Sequence, residues 1–153
     1  MAEVRVRVTG EAAEVARAEA QAVLSMVHDE GRRARLADVV AAIGDGEVTG
    51  EDADALAELL ELGLQTGRVR SVYGPEGEQA ALSLFRRLPL GKELTASTRE
   101  LNEALVALEG RRLERVTVNA VGPGEYGVTI STDDYEIVLR LGRAGARLAT
   151  IGA

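Results

Sequence analysis

The chain has 153 residues, enough for one ordinary domain or two small subdomains. Its 46% hydrophobic and 28% charged content is globular, and a core of this size folds without staples. The absence of cysteine and a lone histidine, His28, exclude disulfides, thiolate zinc sites, a cysteine nucleophile and a multi-histidine metal site. One Phe, three Tyr and no Trp leave little from which to build a stacking platform for bases or sugars. The net charge of −7 is uneven: residues 1–67 carry 14 acidic and 6 basic side chains, residues 68–110 carry six of each, and residues 111–153 carry five acidic and six basic. The acidity therefore sits on the N-terminal part, and phosphate backbones repel such a surface.

No segment reaches the roughly 18 uninterrupted apolar residues of a membrane helix. The opening Met-Ala-Glu-Val-Arg has no basic region followed by an apolar run, so the sequence predicts no signal peptide and a cytoplasmic location.

In chain order, Val4-Arg5-Val6-Arg7-Val8 alternates with period two and predicts a half-buried strand. Residues 11–30 predict a helix with Val15, Val23, Met26 and Val27 near one side and an Ala-rich remainder, closed by Gly31. Ala faces let helices approach closely, so Ala16 and Ala20 are the expected contact of a homodimer. A short helix over 33–43 follows, then Gly44-Asp45-Gly46, then a helix over 50–66 with Thr49 as N-cap and Glu51 and Asp52 in its first turn. Arg68–Tyr73 reads as a short strand or extended connector, with a helix over 75–88 opened by Pro75. Pro89-Leu90-Gly91 marks the expected boundary between a mostly helical subdomain, 1–91, and a second one, 92–153. The second starts with a helix over 94–109. From Arg111 the period changes to two, and Leu113–Val121, Glu125–Thr132, Tyr135–Leu141 and Ala146–Ile151 predict four strands. Their short Gly-Pro-Gly, Thr-Asp-Asp and Arg-Ala-Gly links force an antiparallel meander. The first strand is expected to join this sheet. The fold class is α+β.

Helix 33–43, a turn, helix 50–66 and Gly67-Arg68-Val69-Arg70 together resemble part of a winged-helix domain, over about forty residues. The resemblance implies DNA reading by the second helix and thus a transcriptional regulator. That helix carries Glu51, Asp52, Asp54, Glu58 and Glu61, where base reading needs Arg, Lys, Asn or Gln. The return strand of a wing is also missing, so nucleic acid is disfavoured as a partner.

Other chemistry is sparse. Asp45-Gly46-Glu47-Val48-Thr49 with Asp52 matches the second half of a calcium loop, but Ala41 and Ile43 stand where two ligands belong. His28-Asp29-Glu30 sets an imidazole beside two carboxylates at a helix end, with no second group anchored by motif. Gly122-Pro123-Gly124 leads into a strand, whereas phosphate loops open helices. Asp133 and Asp134 fit a turn. Neither a metal nor a cofactor is expected.

The polar face of the sheet is the last feature. Arg5 and Arg7 share a face of the first strand; Arg115, Thr117 and Asn119 share one on the next, as do Thr129 with Ser131 and Glu136 with Val138 and Arg140. Such a set fits a solvated face, an anionic ligand or an acidic partner. The leading expectation is a non-catalytic interaction protein, an adaptor, accessory or chaperone-like component with a protein partner or self-association. The alternative is a small-ligand-binding domain or enzyme whose pocket lies between helix 94–109 and the sheet, contacted by Tyr126, Thr129, Tyr135 and Arg140.

Overall fold

The computed structural model describes residues 3–152. Its architecture is α+β, a strand-and-helix region followed by a four-stranded antiparallel sheet. Two compact units result, residues 1–92 and 93–153.

The first unit contains β1 (Arg5–Arg7), α1 (Gly10–Met26), α2 (Glu30–Asp45), β2 (Glu47–Thr49), α3 (Gly50–Gln65) and α4 (Arg68–Arg87). The strand predicted over 4–8 does not join the C-terminal sheet. It pairs antiparallel with β2, Val6 opposite Val48, so both valines are buried while the arginines stay exposed. Helices of this unit interlock around Val15, Val39, Leu56, Leu60, Val69 and Leu84.

Several helix boundaries differ from the sequence reading, the following for local reasons. Residues 11–30 are not one helix, because the Asp29 side chain accepts a hydrogen bond from the Arg32 N–H at 2.8 Å and caps a new helix there. Gly31 therefore lies inside α2 rather than closing α1. The Arg33 guanidinium completes the joint by donating to the carbonyls of Val27 at 2.9 Å and Leu24 at 3.3 Å, the open end of α1. Arg68–Tyr73 is helical rather than extended, since Val69, Tyr73 and Gly77 recur at helical spacing toward the interior. The helix then bends at Gly74, whose φ of 74° with ψ of −178° precedes Pro75. Thr49 is the N-cap of α3 by backbone geometry, but its side chain makes no capping hydrogen bond.

Helix α5 (Pro89–Leu105) opens on Pro89, a residue suited to the first turn, so Pro89-Leu90-Gly91 is the start of this helix rather than a break before 94, and it tightens into a 3₁₀ turn over Val106–Leu108. The second unit's sheet is made of β3 (Leu113–Gly122), β4 (Glu125–Thr132), β5 (Glu136–Gly142) and β6 (Gly145–Gly152), in the order β3-β4-β5-β6, and the later turns of α5 pack on β4, β5 and β6. Leu101, Ile137 and Leu139 form its buried centre, with Leu105, Leu108, Val128, Ile130 and Ala146 packed around them. Ser97 ties helix to sheet by donating its hydroxyl to the Ala146 carbonyl at 2.6 Å. Among the described residues no helix is long and apolar enough to cross a membrane.

Candidate functional site

The period-two alternation divides the second sheet into two faces. Val116, Val118 and Ala120 of β3 stand opposite Ile130, Val128 and Tyr126 of β4, which in turn oppose Ile137, Leu139 and Leu141 of β5. This is the face that α5 covers, but the cover is partial. It protects Ile137 and Leu139 and leaves β3 bare: Val116 is 53% exposed and Val118 67%. Tyr126 and Ile151 on the same face are also exposed. Strand β3 is an edge, so one side of its backbone has no strand partner among the described residues.

The opposite face is polar, in three rows. Arg115, Ser131 and Glu136 form one; Thr117, Thr129 and Val138 the next; Asn119, Gly127, Arg140 and Arg147 the third. Arg115 and Arg140 share this face, but four residues of strand separate their rows, roughly 13 Å. Arg5 and Arg7 belong to the other unit's small sheet, where Arg5 lies 3.9 Å from Glu47 and the Arg7 carbonyl accepts a hydrogen bond from Arg87. The five-stranded sheet that would have carried all these arginines therefore does not form.

The helix–sheet contacts suggested for a ligand are likewise not brought together. Tyr126 faces the helix side, whereas Thr129 and Arg140 point to the other face, as the strand period demands. Tyr135 sits in the turn before β5, its ring 4.9 Å beneath the guanidinium of Arg111. Arg111 also pairs with Asp134. The Thr132 hydroxyl accepts hydrogen bonds from the N–H groups of Asp134 and Tyr135, so this turn is held by its own polar groups.

Ala16 and Ala20, expected at a dimer contact, are fully buried within the first unit. Small side chains there let neighbouring helices of the same unit approach, and no surface is left for a second copy. His28 is exposed in the connector between α1 and α2. Gly46 closes α2 in the left-handed region with φ of 87°, the ordinary helix stop, and no group of metal-binding side chains occurs among the described residues.

One buried polar cluster escaped the sequence reading. Glu19 of α1 is 2% exposed; Arg68 Nε lies 3.2 Å from each of its carboxylate oxygens, and Tyr73 donates its hydroxyl at 2.9 Å. Burial, with the Glu19 carboxylate accepting that hydrogen bond, pushes the Tyr73 phenol up to about 12. The signal was available: Glu19 falls midway between Val15 and Val23 on the apolar stripe of its helix. The first unit also has a groove of about 250 Å³, floored by Val23, Leu36, Leu59 and Leu62 and edged by Arg32, Arg35, Asp54 and Glu58.

The chain matches no protein-family model, no curated protein and no solved structure with which it was compared.

Proposed function

We propose that this chain is a non-catalytic interaction protein of the cytoplasm, an adaptor or accessory component that works through the apolar face of its C-terminal sheet. The supporting observation is the uncovered strip on β3, where Val116 and Val118 are more than half exposed beside a free strand edge. Apolar surface buried in an interface is worth about 25 cal/mol per Å² before the costs of association. A contiguous exposed apolar strip is the usual mark of a partner surface.

The partner best suited is a second copy. Antiparallel pairing of β3 with its own copy about a two-fold axis keeps each apolar face on the same side of the joined sheet. A register centred on Thr117 sets Val116 of one copy against Val118 of the other. Light scattering on the purified chain tests this. The expected mass is twice the chain's 16.2 kDa, falling to one chain for Val118→Lys. A monomeric parent, whose protein partners captured from its host are the same as those of Val118→Lys, overturns the reading.

A further inference from the structure

The polar face of the same sheet carries an arrangement that strand geometry alone disfavours. Arg140 of β5 and Arg147 of β6 are directly opposite each other in the ladder. Like charges at such positions repel. Neither arginine takes part in any ion pair found among the described residues. Arg140 Nη1 is buried and has no hydrogen-bond partner among the described residues. A guanidinium cannot shed its proton, so the burial of that N–H is relieved only by an acceptor brought to it.

Space for an acceptor is built in. A pocket of about 150 Å³ lies between the two arginines and the end of the β5–β6 hairpin, where Gly142 and Gly145 oppose each other without side chains. On the other flank of Arg140 stands Gly127, where any side chain would strike the Asn119 amide at 2.8 Å. The volume falls below the roughly 300–1,000 Å³ of pockets that enclose whole small molecules, so it suits a single charged group. Glu125 lines the same pocket and brings one negative charge. Arg140 and Arg147 bring two positive ones. The balance is positive and favours an anion, and the planar forks of arginine match phosphate oxygens in pairs.

We propose that this pocket binds a phosphate group between Arg140 and Arg147, on the face of the sheet opposite the proposed dimer surface. Both guanidinium groups donate to its oxygens, Arg140 through the nitrogen that lacks a protein partner, and any ester substituent projects into solvent. Glu125 weakens the site by repulsion, which keeps binding reversible.

The test is a titration of the full chain with inorganic phosphate in a low-chloride buffer, followed by nuclear magnetic resonance of backbone and arginine side-chain N–H groups. Saturable shifts are expected at Arg140, Gly142, Gly145 and Arg147. Arg147→Gln, an exposed position that leaves the fold intact, should weaken binding about tenfold or more. Arg115→Gln, on the same face but distant, should leave it unchanged, and Glu125→Gln should tighten it. Glycerol phosphate in place of the free anion shows whether an ester is preferred. Shifts that never saturate, that survive Arg147→Gln, or that acetate reproduces at equal concentration overturn the proposal.

Discussion

Glu19 shows what one side chain contributes when it is placed against its type. A carboxylate 2% exposed on an otherwise apolar stripe needs partners, and Arg68 and Tyr73 supply them from α4. The pairing thus orients α4 on α1, although the pair is not a large source of stability, since Arg68 stays 43% exposed and screened by water. The pH consequence follows from Tyr73. Its folded pKa of about 12 lies above the ordinary value of 10.0, so the fold favours the neutral phenol. That contribution is complete below pH 10 and is lost as pH rises through 12. A tyrosinate absorbance titration is therefore expected to show a late step near pH 12 that belongs to Tyr73. In Tyr73→Phe the late step disappears, and the alkaline loss of stability between pH 10 and 12 becomes shallower. A parent titration with no late step would contradict the buried hydrogen bond. The spacing that puts Glu19 on the stripe went unread in the sequence, and it says nothing of the partners, which lie 49 and 54 residues away.

At the scale of elements, strong periodicity carried the prediction and weak periodicity did not. The four C-terminal strands each run seven residues or more, long enough for alternation to declare itself, and their Gly, Pro and Asp turns mark the ends. Strands β1 and β2 have three residues apiece, too few for a pattern to name a partner. Arg68–Tyr73 was ambiguous because six residues fit either period, and only Gly77 and Ala81 beyond the bend reveal the buried side. The α1–α2 joint was missed because Asp29 looked like one more polar residue at a helix end. Its cap predicts a measurable cost. Asp29→Ala should lower unfolding free energy by about 1 kcal/mol in chemical denaturation, with Asp29→Asn restoring most of it. Equal loss in both variants would point to the charge rather than the capping acceptor. The same limits of scale governed the candidate site: alternation put Arg115, Thr129 and Arg140 on one face, but Arg147 entered only through the β5–β6 register.

For the molecule as a whole, the division into two units is also a division of hydrophobic cores. Leu56, Leu60, Val69 and Leu84 are buried in the first, Leu101, Ile137 and Leu139 in the second. The second core is small because α5 covers only part of the sheet, and that partial cover leaves Val116 and Val118 of β3 exposed. A small core has little reserve, so loss of one central side chain should be felt across its own unit. Ile137→Ala removes a fully buried branched side chain from that centre, a change worth about 2–5 kcal/mol in well-packed interiors. Native-state amide hydrogen exchange should then accelerate through β3, β4, β5 and β6 while the amides of α3 keep their protection. Leu60→Ala should give the mirror result, with exchange rising in α1, α3 and α4 and unchanged in the sheet. If either variant instead loosened both units equally, the two cores would be unfolding as one cooperative body. The proposed pairing of two copies through β3 adds a concentration dependence to the sheet alone. Raising protein concentration should slow exchange in β3 of the parent chain and have no such effect in Val118→Lys, which separates the strength of the small core from that of the surface it leaves uncovered.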